Sequence, residues 1–276
     1  MNERDILRRH GFVFSKAMGQ NFLVNPSVCP RMAALCGADN TSGVLEIGPG
    51  AGTLTRELAK VAAKVAAVEL DARLLPVLDE TLAGFENVTI VQGDIMQLDL
   101  PALLDEHFSG MPVHVCANLP YYITSPVIMH LLESRLPLKS LTLMVQQEAA
   151  ERLCAPMGSR ACGAITAAVE FYAEANMLFK VGRGSFIPVP NVDSAVLQLI
   201  PREKPLFEVD ETAFFRLIRA AFGQRRKTAA NAISAGLGID KAQILAAMER
   251  ARLSVNTRAE NITLEGYARL LREMGF

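Results

Sequence analysis

The chain has no tryptophan, only four histidines and only five cysteines among its 276 residues. The cysteines are scattered without a C-x-x-C pair and the histidines are not spaced as ligands, so we expect reduced thiols and no metal site. No apolar run approaches the ~20 residues that cross a bilayer, and the first ten residues carry no signal-peptide core. The sequence therefore predicts a cytoplasmic protein without a membrane partner.

Net charge is also nearly absent, at -1 at pH 7. Its distribution is uneven, because residues 1–43 carry a net charge of +2, residues 44–205 carry -6 and residues 206–276 carry +3. The overall balance argues against a generic nucleic-acid binder and we expect no DNA partner, but two basic ends flank an acidic middle. An ordinary mixed surface explains the same charges equally well.

Short strand-like runs alternate with helical patterns in the middle of the chain, from VLEI (44–47) to QEAAERLC (147–154). This alternation predicts parallel β-α-β units in a doubly wound, Rossmann-like sheet. The runs MLFKV (177–181) and SAVLQLIP (194–201) have little helix between them and predict a terminal antiparallel hairpin on that sheet. The predicted fold class is α/β with a mostly parallel sheet.

Only helical patterns follow the linker-like stretch PREKP (201–205), and Asp240 and Thr263 are candidate N-caps. They predict a small C-terminal all-α domain. The expected parts of the chain are an N-terminal arm (1–43), an α/β domain (44–203) and a helical domain (204–276).

The glycine-rich stretch VLEIGPGAGTLT places Gly48, Gly50 and Gly52 between a predicted strand and a predicted helix. Glycines there allow backbone amides to approach a ligand at the carboxyl end of a parallel sheet. A dinucleotide site requires G-x-G-x-x-G, but Thr53 occupies the third glycine position. The E-x-G-x-G-x-G spacing therefore favours S-adenosylmethionine, with a NAD dehydrogenase as the alternative.

Two acidic residues follow the next strands in the order expected of a cofactor site. Glu69 ends the second predicted strand, where a carboxylate can accept hydrogen bonds from both ribose hydroxyls, as it also does in NAD enzymes. Asp94 follows the third strand and can accept a hydrogen bond from an adenine amine. Solvated carboxylates at strand ends are the alternative for each residue alone, and their ordered combination with the glycines favours a cofactor site.

The stretch ANLPYYITSP places an amide, a proline and two tyrosines directly after the fourth strand. Methylation of an exocyclic nucleobase amine is aided by acceptors for both N–H groups, which the side chain of Asn118 and the backbone carbonyl of Leu119 can supply. Pro120 stiffens the turn, and Tyr121 offers a ring on which a base stacks. A capped turn with core tyrosines is the alternative for these four residues alone.

Eight segments occur in the order of one known family and span essentially the whole chain. They are GQNFL (19–23), LEIGPGAGTLT (45–55), VELD (68–71), GD (93–94), NLPYYITSP (118–126), FIPVPNVDSAV (186–196), FGQRRKT (222–228) and RAENITLEGYARL (258–270). By these segments the sequence resembles the small-subunit ribosomal RNA adenine dimethyltransferases, which are related to the macrolide-resistance (Erm) methylases and to mitochondrial transcription factor B. The resemblance implies a class I methyltransferase fold and S-adenosylmethionine as cofactor. It also implies that residues 1–43 form a cofactor lid, residues 44–203 the methyltransferase domain and residues 204–276 a helical RNA-binding domain.

The resemblance also implies roles for residues at matching positions. Asn118 would face both the methyl donor and the target amine. Phe186 would close on the base opposite Tyr121, so that two rings hold an adenine taken out of its stack. Asn191 stands where the family usually has lysine or arginine, so one RNA-facing charge of the family is absent from this sequence. The implied cofactor contacts are Asn21, Leu23, Gly48, Gly50, Glu69, Asp94 and Asn118.

Two clusters of basic residues are candidate RNA contacts. The first lies in QRRKT (224–228) and would contact phosphates of a structured RNA. The second lies in the N-terminal arm. Solvated basic faces are the alternative for both. The members are Arg225, Arg226 and Lys227 in the first cluster, and Arg8, Arg9, His10 and Lys16 in the second.

The activity that the resemblance implies is transfer of two methyl groups to N6 of each of two adjacent adenosines in the 3′-terminal hairpin of small-subunit (16S) rRNA. The products are dimethyladenosines, formed during 30S biogenesis. The expected partner is that rRNA within a partly assembled pre-30S particle, and the enzyme is expected to be a monomer. Two alternatives stay open: an Erm-like methylase of large-subunit rRNA, and a ribosome-assembly checkpoint factor whose chemistry is secondary. The helical tail and FGQRRKT favour the small-subunit group over the Erm group.

Overall fold

The computed structural model describes residues 3–12 and 21–275. Lys16 and the Gly19–Gln20 part of the GQNFL segment lie outside these ranges. No helix within them is long and apolar enough to cross a membrane. The chain divides into two compact units, of which the first comprises Met1–Ala150 with Asn176–Pro201 and the second comprises Glu151–Ala175 with Arg202–Phe276.

A mostly parallel sheet of seven strands forms the first unit. The strands of the described residues are β1 (Phe22–Leu23), β2 (Gly43–Ile47), β3 (Lys64–Glu69), β4 (Val88–Gln92), β5 (Val113–Asn118), β6 (Leu138–Gln146), β7 (Ala173–Val181), β8 (Phe186–Ile187) and β9 (Ser194–Pro201). The order in the large sheet is β4-β3-β2-β5-β6-β9-β7, while β1 and β8 pair with each other. Neighbours from β4 to β6 are parallel and β6 pairs antiparallel with β9. The predicted Rossmann-like sheet with a terminal β7 and β9 is confirmed.

Helices connect the strands and make up most of the second unit. In the described ranges they are α1 (Glu3–Arg9), α2 (Val28–Leu35), α3 (Thr53–Ala59), α4 (Leu75–Leu82), α5 (Leu100–Phe108), α6 (Thr124–Glu133), α7 (Gln147–Leu153), α8 (Ala164–Tyr172), α9 (Glu211–Phe222), α10 (Ala229–Leu237), α11 (Lys241–Arg250) and α12 (Leu264–Glu273). The sequence did not predict α8, because AITAAVEFY is apolar on nearly all sides and lacks the polar face that reveals a 3.6-residue period. Most of its residues are buried.

Burial of the central strands explains why the sheet forms here. All five residues of β2 are buried, as are the last five of β3 and the first five of β5. Parallel strands that are covered on both faces are mostly apolar, and the buried polar residues of these three strands are Glu46, Glu69 and His114. Because β2 is flanked by β3 and β5, the carboxyl ends of these three strands meet at one edge of the sheet.

Aromatic packing holds the second unit together. The rings of Phe171 and Tyr172 in α8 lie 5.5 Å from those of Phe214 and Phe215 in α9, respectively. Residues 151–175 therefore group with the C-terminal helices, whereas the predicted 44–203 domain had placed them with the sheet.

The predicted N-caps of the last two helices are present in the second unit. A side-chain oxygen of Asp240 accepts a hydrogen bond from the backbone N–H of Ala242 at 2.7 Å. The hydroxyl of Thr263 accepts one from the N–H of Gly266 at 3.2 Å. These contacts satisfy amide groups that have no partner inside the helix.

Gly52 is required where the glycine turn enters α3. Its φ is 82°, and a Cβ atom there would lie 2.9 Å from the hydroxyl oxygen of Thr81 in α4. We predict that Gly52→Ala lowers the free energy of unfolding by about 2 kcal/mol, from left-handed backbone strain plus overlap with Thr81. Denaturant unfolding of the purified protein measures this loss.

Gly84→Ala is the matched control for this substitution. A Cβ at Gly84 meets no atom within 4 Å, and its φ is not positive. We expect its free energy of unfolding to stay within about 0.5 kcal/mol of the original. Equal losses for the two variants would contradict the steric argument.

Candidate active site

One cavity of the first unit lies at the edge where β2, β3 and β5 end. Its wall contains most of the residues that the sequence singled out. Those that line it are Asn21, Leu23, Gly48, Gly50, Glu69, Asp94, Asn118, Leu119, Pro120 and Tyr121. The structure therefore brings every predicted cofactor residue, and all predicted catalytic residues except Phe186, to one cavity.

The glycine turn and Glu69 are joined by a hydrogen bond. The backbone N–H of Gly50 donates to Oε2 of Glu69 at 3.2 Å, and the N–H of Asp71 donates to Oε1 at 2.8 Å. Gly48 and Gly50 have φ of 70° and 60°, a left-handed conformation that glycine adopts without steric cost. Burial raises the pKa of Glu69, and the two N–H groups partly oppose that shift. The carboxyl group is thus fixed in the cavity wall.

Asp94 lies on another part of the wall, just after β4. Its Oδ1 accepts from the backbone N–H of Met96 at 2.9 Å, and its Oδ2 accepts from the side-chain amide of Gln97 at 3.2 Å. These bonds orient the carboxylate within its own loop. An ionised carboxylate has about four acceptor sites, so capacity remains for a ligand amine.

The Asn118 side chain is oriented by the chain segment before β1. Its Nδ2 donates to the backbone carbonyl of Asn21 at 3.4 Å. No described residue donates to its Oδ1, which is the expected acceptor for the target amine. The N–H of Leu119 donates to the carbonyl of Met144 at 3.2 Å, which fixes the turn against β6.

Tyr121 presents a ring that is held at its far end. Its hydroxyl lies 2.8 Å from the hydroxyl of Ser194, a wholly buried residue at the start of β9. Burial raises the pKa of Tyr121 above its ordinary value, so the phenol is neutral at neutral pH. The ring is therefore a fixed, uncharged part of the cavity wall.

Phe186 does not line the cavity, which differs from the predicted pair of rings around a base. It is 1% exposed and belongs to a core cluster with Cys29 and Met32. The reason is local: Phe186 opens β8, which pairs antiparallel with β1 opposite Leu23, and this pairing directs the ring into the core. Of the two predicted rings, only that of Tyr121 reaches the cavity.

Glu46 is a cavity residue that the sequence argument did not single out. It is the acidic residue of the E-x-G-x-G-x-G spacing, which was the available signal. Burial raises the pKa of Glu46 to about 8, and its Oε2 has no hydrogen-bond partner among the described residues. A buried oxygen without a partner is costly and is satisfied when a donor enters the cavity. Ser194 and Tyr122 were missed for a different reason, since no spacing rule marks them.

The QRRKT cluster belongs to the second unit, between α9 and α10. Arg225, Arg226 and Lys227 are all exposed. Arg225 donates to the backbone carbonyl of Arg160 at 3.0 Å, and no acidic group in the described ranges pairs with the three side chains. These charges are therefore available to an external anion.

The arm cluster is different, because two of its residues contact Glu80. Nη2 of Arg9 lies 2.5 Å from Oε1 of Glu80, and Nε2 of His10 lies 2.7 Å from Oε2. Lys16 of this cluster is outside the described ranges. Two of the cluster's basic groups thus already have an anionic partner, which makes the arm a weaker candidate for contact with RNA.

Comparison with known proteins identifies close relatives of this chain. A family model described as ribosomal RNA adenine dimethylase matches residues 11–274. The ribosomal RNA small subunit methyltransferase A of Shouchella clausii is 47% identical over 269 residues, which cover 96% of this chain and 91% of that protein. The protein of the same name from Bacillus licheniformis is 42% identical over 279 residues, covering 98% of this chain and 96% of its own.

Two solved structures have a similar fold. A dimethyladenosine transferase from Plasmodium falciparum has a TM-score of 0.73 and 26% identity, covering 92% of this chain and 97% of its own. The 23S rRNA methyltransferase ErmE has a TM-score of 0.68 and 28% identity, covering 93% of this chain and all of its own.

The buried Glu46 predicts a pH-dependent stability. Its pKa of about 8 lies above the ordinary 4.5, so between these values the folded protein keeps a proton that the unfolded chain releases. Stability therefore falls as the pH rises through this window. We predict that the free energy of unfolding of Glu46→Gln, measured relative to that of the original protein, rises by on the order of 3 kcal/mol from pH 5 to pH 8, because glutamine cannot ionise.

Denaturant unfolding at the two pH values, without ligand, measures this gain. Glu86→Gln is the control because it removes an exposed carboxylate from the same unit. A stability difference between the Glu46→Gln variant and the original that stays constant with pH would show that Glu46 ionises normally in the folded protein.

Proposed function

The chain belongs to the ribosomal RNA adenine dimethylase family, and from this premise we propose that it methylates N6 of two adjacent adenosines in the 3′-terminal hairpin of small-subunit (16S) rRNA. Membership makes it an S-adenosylmethionine-dependent rRNA adenine dimethyltransferase. The observation that carries the proposal is the single cavity wall that joins the glycine turn and Glu69 to the Asn118–Tyr121 turn. The glycine turn and Glu69 suit a nucleoside cofactor, and the Asn118–Tyr121 turn suits the amine of a base.

The cofactor half of the cavity fits S-adenosylmethionine, which supplies an electrophilic methyl group on a positively charged sulfur. Glu69 is the acceptor for ribose hydroxyls, and Asp94 is the acceptor for the adenine amine. The unsatisfied oxygen of Glu46 suits a ligand that carries hydrogen-bonding groups. The remaining proposed contacts are Asn21, Leu23, Gly48, Gly50 and Asn118.

The substrate half positions the target amine. In the first transfer, Oδ1 of Asn118 and the backbone carbonyl of Leu119 would accept the two N6 hydrogens and direct the nitrogen lone pair toward the methyl donor. In the second transfer the methylated amine would offer its one remaining hydrogen to one of these acceptors, and the extra proton would leave after each transfer. Tyr121 stacks on the base, and Pro120 keeps the carbonyl of Leu119 aimed. Phe186 acts from the core, by holding Leu23 through the β1–β8 pair. Such positioning contributes much of the rate enhancement, because reacting groups that are already aligned lose little further entropy on reaching the transition state.

A partly assembled pre-30S particle in the cytoplasm is the proposed substrate, and a monomer is the proposed acting form. The curated relatives named above are small-subunit methyltransferases, which supports 16S rRNA over the large-subunit target named for ErmE. A role in assembly that does not need catalysis is compatible with this activity.

Methyl transfer to unmodified small-subunit particles tests the activity. We expect labelled methyl groups on N6 of two adjacent adenosines near the 3′ end of 16S rRNA, mapped by mass spectrometry, and none on large-subunit rRNA. Asn118→Ala should lower kcat roughly 100-fold or more, as loss of one aligned polar group at a reacting centre does. Asn256→Ala, an exposed change in the second unit, is the control.

The mapped positions separate the alternatives. Label on large-subunit rRNA would assign the chain to the Erm-like activity. Full activity of Asn118→Ala would remove that residue from the reacting centre while leaving the family assignment intact. A catalytically dead Asn118→Ala that still restored subunit maturation would favour the assembly role.

The QRRKT cluster predicts salt-dependent RNA binding. Each Lys or Arg that contacts phosphate releases counterions, so affinity falls as salt rises. Replacing Arg225, Arg226 and Lys227 together by glutamine should weaken particle binding and make the log–log salt slope shallower by roughly two to three units. Binding at several potassium concentrations measures the slope.

Arg272→Gln is the control for charge alone, since Arg272 is exposed on α12 in the same unit. It should leave the slope unchanged. A triple variant with the original slope would place the RNA contacts elsewhere on the protein.

A further inference from the structure

Tyr122 is an exposed aromatic ring at the wall of the active-site cavity. It lines the cavity with its neighbour Tyr121, yet 57% of its surface is exposed. No other described phenylalanine or tyrosine is as exposed, and no described residue hydrogen-bonds to its hydroxyl or packs a ring against it. A large ring left in water beside a substrate cavity suggests a binding surface rather than a structural one.

The two tyrosines of the turn cannot serve the same base. They are consecutive residues of a 3-10 turn (Tyr121–Ile123), in which successive side chains point about 120° apart. Tyr121 is fixed by Ser194 and is half-buried, so its ring faces a ligand inside the cavity. Tyr122 therefore presents its ring in a different direction, toward a group that stays outside.

The loop that leads into β9, which begins with the anchoring Ser194, also carries exposed apolar side chains. Val189 and Val192 are 61% and 44% exposed, and Val192 precedes the anchoring Ser194 by two residues. Aromatic and aliphatic groups without a nearby requirement for hydrogen bonding suit the face of a nucleobase, since every base has a π face. They do not suit a phosphate, which requires donors or positive charge.

We propose that the ring of Tyr122 stacks on the nucleobase next to the adenosine that occupies the cavity. This inference rests on the proposed function, in which the two target adenosines are adjacent in one strand. When one of them is taken out of its stack, the neighbouring base loses a stacking partner on one face. Tyr122 replaces that partner, so the NLPYY turn binds two consecutive bases with two consecutive tyrosines.

Stacking at the mouth of the cavity has a consequence for the order of events. The neighbouring adenosine is held beside the cavity while the first is methylated. It can then enter after a movement of one nucleotide, without release of the RNA. Loss of the Tyr122 ring should therefore weaken substrate binding more than it slows the methylation of an adenosine already in the cavity.

A cycle of protein and RNA changes tests the contact. Small-subunit particles are reconstituted with 16S rRNA whose 3′-terminal hairpin is synthetic, and the base of one target adenosine is removed while its ribose and phosphate stay. KM and kcat are measured for the other adenosine. Removing the neighbouring base should raise KM roughly tenfold for the original protein, as loss of one base–aromatic stack does.

The variants Tyr122→Ala and Tyr122→Phe complete the cycle. On intact RNA, Tyr122→Ala should raise KM about as much as base removal does, whereas Tyr122→Phe should keep the original KM because the ring remains. On RNA that lacks the neighbouring base, Tyr122→Ala should cause no further increase. Leu206→Ala, an exposed apolar change in the second unit, is the control, and thermal unfolding verifies that each variant is folded.

Three results would overturn the inference while leaving the proposed function standing. The first is an unchanged KM for Tyr122→Ala. The second is a further increase in KM when Tyr122→Ala is combined with RNA that lacks the neighbouring base. The third is a Tyr122→Phe variant whose KM is as high as that of the alanine variant. Absence of methylation by the original protein on intact particles would instead reject the proposed function, and this inference with it. If Tyr122→Ala fails to fold, an unchanged KM of the original protein on RNA lacking the base still refutes the contact.

Discussion

The site depends on the hydrogen bond from the Gly50 amide to the buried carboxyl of Glu69. It joins the turn after β2 to the end of β3, and the parallel register of the two strands brings both groups to the same edge. Glycine is needed on one side because the turn is left-handed, and a carboxyl is needed on the other because it accepts both this amide and that of Asp71. The cofactor half of the cavity is therefore built before any ligand enters.

The substrate half is fixed by a second connection, through the antiparallel end of the sheet. Gln146 of β6 lies opposite Ser194 of β9, and Ser194 holds the hydroxyl of Tyr121. The NLPY turn follows β5, which lies between β2 and β6, so the turn is anchored toward both the glycine turn and β9. This explains why a mostly parallel fold keeps an antiparallel terminal strand near its active site: that strand supplies the anchor for the ring.

The sequence predicted the sheet, the glycine turn, Glu69, Asp94 and the NLPY turn, because each is a local pattern at a strand end. It placed Phe186 opposite Tyr121 at the base, whereas the ring lies in the core, because its direction depends on pairing between β8 and β1, which lie more than 160 residues apart. It also missed α8, whose apolar residues have no polar face, and the role of Ser194, which is visible only across strands. Patterns within one element were therefore sufficient to locate the residues of the cavity wall, whereas contacts between distant elements could not be predicted from such patterns.

The aromatic arrangement that results differs from a symmetrical sandwich in a way that suits a substrate with two targets. A second ring inside the cavity, opposite Tyr121, would hold one base firmly but would do nothing for its neighbour. With Phe186 in the core and Tyr122 at the mouth, one ring faces inward and one faces outward from the same short turn. Successive bases of one RNA strand are separated by a single flexible backbone unit, so a turn that carries rings on consecutive residues can contact both without a large movement of the protein.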